Sequence, residues 1–289
     1  MSLTAGQDPV ASAGYEAVPD EAGGAAARAW WDAHAQEYLD DHGASLGAAD
    51  FVWGPEGLQE EDARLLGDTT GLTVLEVGAG AAQCSRWLTA RGVRVVATDV
   101  SGGMLAAGGR LDAATGITTR RVQADARALP FPDQCFDVAF TAFGALPFVP
   151  DAARVHAEVA RVLRPGGRWV FATTHPLRWP FPDDPGVRGL TATRSYFDRS
   201  PYVEKAADGS VLYAEYHRTL GDLVGEVTGA GLVIDRFVEP EWPPGRDDVY
   251  AGWGPVRGAM LPGTLVVVTH VPTQVPTKVP TQVPTHVPA

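Results

Sequence analysis

The stretch VLEVGAGAAQCSRWLTARGVRVVATDVS, residues 74–101, restricts this chain more than any other part of it. An apolar run at 74–77 enters Gly78 and Gly80, a helical segment follows, and a second apolar run ends on Asp99. The two glycines let the backbone turn tightly and approach a ligand with no Cβ in the way. The helix that follows presents unpaired N–H groups at its start. Strand, glycine loop, helix, then strand ending on an acid is the order by which a nucleotide-type cofactor is gripped.

Downstream, strands and helices alternate, which argues for an α/β fold with a parallel sheet and helices on both faces. The pattern predicts strands at 73–77, 93–98, 118–123, 136–141 and 168–174, with helices at 82–91, 102–111 and 151–163. RPGGR at 164–168 reads as the turn that stops the last helix. After 174 the rhythm changes to a proline-rich loop and a hairpin with Asp208-Gly209 at its turn. A helix at 220–228 and strands at 232–238 and 264–270 complete the core. Before it, residues 25–66 read as helical, with Gly43 as a stop and a second helix at 56–66. The resulting division is a leader without structure at 1–24 and a helical cap at 25–72. A cofactor-binding core at 73–174 follows, then a substrate-side loop and hairpin at 175–219 and the rest of the core at 220–270. The tail at 271–289 repeats VPTQ-VPTK-VPTQ-VPTH, and proline at every fourth position forbids a helix there.

Which cofactor the loop grips is decided by two departures from the dinucleotide pattern. Position 83, where a small residue lets a pyrophosphate sit on the helix, is Gln. Glu76, two residues before the first glycine, would repel a phosphate. S-adenosylmethionine carries an ammonium and a sulfonium and no phosphate, so a nearby carboxylate suits it. Two further acids fall in order. Asp99 lies where an acid accepts ribose hydroxyls. Asp125, after the third strand, is placed to accept from an adenine amino group, with Ala126 beside it.

On these residues the chain resembles the class I S-adenosylmethionine-dependent methyltransferases over roughly 30–270. VLEVGAGAAQCSRWL is similar to the family's glycine motif, with Ala82 where a third glycine is common. VVATDVS, ADARALPFPDQCFDVAFTAF and VARVLRPGGRWVFATTHP are similar to its later segments. The resemblance implies a Rossmann-like, seven-stranded, mostly parallel sheet with an N-terminal helical cap and an inserted hairpin over the site. It implies S-adenosylmethionine as cofactor and S-adenosylhomocysteine as product. By the same resemblance Gly78, Ala79 and Gly80 flank the methionine part, with Glu76, Gln83 and Met104 about the loop. Asp99 and Val100 hold the ribose, and Asp125 and Ala126 bracket the adenine. Thr141, Ala142 and Phe143 face the transferring methyl, and Tyr38 closes over the methionine end together with Trp30 and Trp31.

Methyl transfer is an in-line displacement in which the protein mostly aligns the nucleophile and excludes water. A general base is optional. His175, at the end of the fifth strand, and His217, after the hairpin, are the candidates; His156, mid-helix, reads as a surface or boundary residue. Trp179, Tyr196 and Trp242 are the candidate substrate contacts, with Phe181, Phe197, Tyr250 and Trp253 as further lining. So many aromatics in the variable segments point to a bulky, hydrophobic or aromatic, natural-product-like acceptor. TAFG at 141–144 lacks both the Pro-Pro-aromatic turn of DNA amino methyltransferases and the acid of metal-dependent catechol enzymes, so no metal is expected.

Lys and Arg number 23 against 35 Asp and Glu, a net charge of −12, and such a field opposes nucleic acid as a partner. No apolar run approaches the roughly 20 residues that span a bilayer. Two cysteines, Cys84 and Cys135, build neither a disulfide framework nor a zinc set, which fits a reducing cytoplasm. Monomer and homodimer are both compatible with the sequence. A protein that keeps this pocket for other chemistry, such as a cyclase or a non-catalytic binder, stays open at this stage because folds are reused. An NAD(P) reductase is disfavoured by Glu76 and Gln83.

Overall fold

A computed structural model describes residues 10–273. The first nine residues of the expected leader, and the repeat tail from 274 on, lie outside it. The main sheet has seven strands: β2 (Thr73–Val77), β3 (Arg94–Asp99), β4 (Arg120–Gln123), β5 (Phe136–Thr141), β6 (Leu163–Thr174), β9 (Val233–Val238) and β10 (Thr264–His270). Their spatial order is β4-β3-β2-β5-β6-β10-β9, and β10 alone runs against the others. From β2 the chain steps outward to β3 and β4, then returns to the far side of β2 as β5. This reversal opens a crevice at the carboxyl ends of β2 and β5, where open α/β sheets bind ligands.

Alternation along β2 distributes the core. Leu75 and Val77 pack with Val155 and Val159 of α5 (Ala152–Val162) and Val227 of α6 (Leu220–Gly229) on one face. Val74 points to the other face, with Leu88 of α3 (Gln83–Ala90) and the pair Phe51 and Trp53. Glu76 shares that second side by the period of two. Burying each large apolar side chain of this kind is worth about 1.5–3 kcal/mol. Arg86 of α3 is fully buried and donates to Asp112, to Ala81 O and to Gly108 O at 2.9–3.0 Å. It thereby ties the glycine loop to α4 (Gly102–Thr115).

Three expectations about the amino-terminal third change. Residues 12–15 form a strand, β1 (Ser12–Tyr15), and α1 spans Asp20–Leu46, so the leader has structure well before residue 25. Ala/Gly composition gives no local sign of this. The strand exists because β7 (Tyr202–Lys205) offers an open edge, and β1, β7 and β8 (Val211–Glu215) make a second, three-stranded sheet. Gly43 does not end α1. The helix runs on to Gly47, whose φ of 68° suits glycine. The helix expected at 56–66 shrinks to α2 (Glu60–Ala63). Glu60 turns inward, and its carboxylate accepts from Trp53 Nε1 and from the backbone N–H groups of Leu65 and Leu66 at 2.9 Å, which draws the chain out of helical register.

β6 begins at Leu163, so the RPGG turn is part of the strand, with Gly166 at φ 80°. His156 is 1% exposed rather than at the surface. It lies on the α5 face that meets the sheet, where its Nδ1 accepts from Trp169 Nε1 at 3.0 Å, and burial pushes its pKa down to about 3. The hairpin forms as expected, with Gly209 at φ 85° in its turn. Among the described residues no helix is long and apolar enough to cross a membrane. No group of three or more His, Cys, Asp or Glu among them could hold a metal ion.

Candidate functional site

The crevice at the ends of β2 and β5 is a cavity of about 160 Å³, and the glycine loop forms its floor. Gly78 has φ 66°, and a Cβ there would come within 2.6 Å of the Ala145 side chain. Gly80 has φ 53° and Ala82 φ 60°, so the loop alternates into the left-handed region three times. Ala82 adopts that conformation with a side chain, at a cost of roughly 1–2 kcal/mol.

Three carboxylates stand along the cavity in chain order. Glu76 is buried, and its Oε2 accepts from Ser85 N at 3.0 Å and from Ser85 Oγ. Burial outweighs those bonds and pushes its pKa up to about 7. Asp99 accepts from Gly80 N at 2.7 Å and Ser101 N at 2.8 Å, and burial raises its carboxyl. Asp125 is forked by Arg127, with Nη2 to Oδ2 at 2.7 Å, and that pairing holds its carboxyl below the ordinary range. All three keep lone pairs for further partners.

A stripe of α1 closes the cavity from above: Gly24, Ala27, Trp31 and Tyr38, at spacings of one and two helical turns. Asp32 fastens the helix. Its Oδ1 accepts from Ser101 Oγ at 2.7 Å and Gly103 N at 2.8 Å, capping α4 from outside. The Tyr38 hydroxyl lies 3.4 Å from that of Tyr250, so the loop before β10 meets α1 at the cavity edge.

Of the expected cofactor contacts, Tyr38, Glu76, Gly78, Ala79, Gly80, Gln83, Asp99, Val100, Met104, Asp125, Ala126 and Ala142 line this cavity. Thr141 and Phe143 do not. Thr141 is fully buried within β5, and Phe143, at φ 67°, turns into the core that contains Phe51. Trp31, expected with Tyr38 over the methionine end, lines the cavity as well, and Trp30 does not; Asp50, Val52, Arg127 and Phe148 line it and were not anticipated. The α1 members carried a signal, since 24, 27, 31 and 38 make one helical stripe. Asp50 sits in an irregular segment and Phe148 at the end of a single 3-10 turn, Leu146–Phe148, and neither carried one.

Neither candidate base reaches the cavity. His175 N continues the β6–β10 ladder to Gly263 O at 2.8 Å, which aims the ring at Glu239. Its Nδ1 accepts from Leu177 N, so Nε2 carries the proton and donates to Glu239 Oε1 at 2.9 Å. His217 donates from Nε2 to Tyr196 O at 2.7 Å and lies against Trp179, with ring centroids 5.3 Å apart. Burial lowers both pKa values. The expected substrate contacts are structural too. Trp179 borders a space of about 20 Å³, room for one water. The Tyr196 hydroxyl accepts from Leu220 N, and Trp242 Nε1 donates to Arg246 O. Phe197 is exposed, and Trp253 packs under Arg257. A position after a strand end places a side chain near the crevice only if the backbone there has left the ladder.

A family model described as a methyltransferase domain matches residues 75–171. A demethylmenaquinone methyltransferase of Mycobacterium sp. (strain KMS) is 39% identical over 247 residues, covering 82% of this chain and 90% of the relative. A demethylmenaquinone methyltransferase of Thermus thermophilus is 39% identical over 128 residues, which cover 44% of this chain and 54% of the relative. Among solved structures, an S-adenosylmethionine dependent methyltransferase from Mesorhizobium loti is 26% identical with a TM-score of 0.58, over 75% of this chain and 100% of its own.

Proposed function

The chain belongs to the class I S-adenosylmethionine-dependent methyltransferases, with S-adenosylmethionine as cofactor, and we propose that it methylates a small, apolar aromatic acceptor. The residues present suit the cofactor. The cradle at Gly78 would be filled by any Cβ, and Glu76, Asp99 and Asp125 line one cavity, which offers an acceptor each to an ammonium, a ribose and an adenine. Bound there, S-adenosylmethionine supplies an electrophilic methyl group on a sulfonium.

The rest of the reading concerns this chain's side chains. Glu76 pairs with the ammonium, using the carboxylate oxygen that Ser85 leaves free. Asp99 accepts from the ribose hydroxyls while it holds the loop through Gly80 N. Asp125, kept flat by Arg127, accepts from the adenine amino group. Trp31, Tyr38 and Phe148 pack edge to face, with centroids 5.1 and 5.3 Å apart, and wall the cavity with rings. That aromatic wall, beside a loop that grips the methyl donor, is the observation that carries the acceptor assignment. It keeps water from the transferring group and stacks the acceptor for in-line attack. The relatives named above are demethylmenaquinone methyltransferases, so the acceptor in their name is a quinone, which supports it.

Incubation with methyl-labelled S-adenosylmethionine and a panel of naphthols, phenols, aliphatic amines and carboxylates tests this. Label is expected in the aromatic hydroxyl compounds. Transfer confined to aliphatic acceptors, or no transfer while S-adenosylhomocysteine binds, overturns the acceptor assignment.

A further inference from the structure

One face of the small sheet carries polar and aromatic side chains that neither the cavity nor the core uses. Register places Tyr202 opposite both Tyr15 and Glu215, and Glu204 opposite Tyr213, so these five share a face. The opposite face is ordinary core, with Val203 and Ala214 fully buried. On the polar face the tyrosines step across the strands, at centroid separations of 5.7 and 6.3 Å. Phe148, which lines the cofactor cavity, lies 5.9 Å from Tyr213, and Trp30 of α1 lies 5.2 Å from it. A continuous run of rings therefore leads from the methyl-donor cavity onto this face.

At the end of that run the polar groups are under-used. The Tyr213 hydroxyl donates to Glu215 Oε1 at 2.9 Å. Arg178 stands beside them, with Nη1 3.8 Å from Glu215, Nη2 3.4 Å from Asp183, and its side chain 15% exposed. Among the described residues its guanidinium completes no hydrogen bond. It is ion-paired with both carboxylates and lies 5.0 Å over the Trp179 ring, and the length of those two contacts leaves its five donors room for a closer acceptor. Glu215 also has spare capacity, because a carboxylate offers about four lone-pair sites. Burial pushes its carboxyl up, with Arg178 opposing. Tyr202, Glu204, Tyr213, Glu215 and Arg178 are all half-buried, with 15% of the Arg178 and 18% of the Glu215 side chain exposed, so solvent reaches this face.

We propose that this face is a subsite for the acceptor, in which Arg178 donates to a ring oxygen and Glu215 accepts from a ring hydroxyl. The ligand class is an aromatic ring with hydroxyl and carbonyl or phenolate oxygens. A cationic amine would meet Arg178, and an aliphatic chain would leave its donors bare. The inference rests on the methyltransferase reading above and narrows its acceptor.

The test uses two probes with one ring system, naphthalene-1,4-diol and 1,4-dimethoxynaphthalene, titrated calorimetrically under argon with S-adenosylhomocysteine present. Wild type is expected to bind the diol about tenfold or more tighter than the ether, the worth of one charged hydrogen bond. Glu215→Gln and Arg178→Gln are expected to bring the two within about twofold of each other, with Tyr213→Phe intermediate. S-adenosylhomocysteine affinity should stay that of wild type in all three, which shows the variants folded. No discrimination by wild type, or discrimination kept by the folded variants, overturns the inference whether or not methyl transfer occurs. Discrimination lost in the variants without methyl transfer to any naphthol upholds the subsite and sinks the acceptor assignment alone.

Discussion

Replacing Glu76 by Gln separates cofactor binding from stability, because the same carboxylate acts on both in opposite directions. A carboxyl moved by burial from 4.5 to about 7 costs the ionised, unliganded fold about 3 kcal/mol. The folded protein holds this proton more tightly than the unfolded chain does, so stability falls as pH rises from about 4.5 to about 7 and is level above. At pH 8 the Gln variant escapes that cost. Gln keeps an oxygen for Ser85, so unliganded Glu76→Gln is expected to unfold at higher urea concentration than wild type at pH 8, with the two converging near pH 5. Binding behaves the other way. An ammonium needs the ionised carboxylate, and at pH 5.5 only about 3% of a group titrating near 7 is ionised. Wild-type affinity for S-adenosylhomocysteine, whose amine stays protonated throughout, should therefore rise about 30-fold between pH 5.5 and 8. The variant should show a flat profile, weaker than wild type at pH 8 by about 10- to 100-fold, the worth of a charge-assisted hydrogen bond. Calorimetric titration at four pH values, paired with urea unfolding, measures both. A flat wild-type profile, or a Gln variant that binds as wild type does at pH 8, refutes the assignment of Glu76 to the ammonium.

Gly78→Ala would put a Cβ 2.6 Å from the Ala145 side chain at φ 66°; loss of at least about 2 kcal/mol and of measurable S-adenosylhomocysteine binding is expected, by thermal unfolding and calorimetry. Asp32→Ala removes two bonds between α1 and the start of α4, so cofactor affinity should drop about tenfold while the far-ultraviolet spectrum is kept. His175→Asn and His217→Phe should each lower the melting temperature yet leave the pH dependence of kcat as in wild type, because both rings are held neutral away from the cavity. A hundredfold loss with a vanished acid limb in either would restore that histidine as the base.

Local periodicity made much of the sheet legible. The strands at Phe136–Thr141 and Thr264–His270 lie where the apolar runs end on turn residues. The three acids were legible because each stands within two residues of a strand end, and a strand end is a fixed place in a parallel sheet. The short α2 was not, since Glu60 abandons a good helical pattern for bonds to Trp53 and Leu66. His175 was misjudged for a related reason: one further rung of the β6–β10 ladder turns its ring away.

The sequence alone determined that a phosphate-free, cationic cofactor binds in an α/β sheet, because Gly78, Gly80, Glu76 and Asp99 act within one strand-loop-helix-strand unit. Contacts inside such a unit depend on short separations that the chain order itself enforces. Tertiary structure decided what covers the unit. Trp31, Asp50, Arg127 and Phe148 reach one cavity from segments far apart in sequence. Tyr213 of the small sheet packs against Trp30 of α1, more than 180 residues away along the chain. Such meetings depend on packing and register between distant elements, which no local pattern of residue types records.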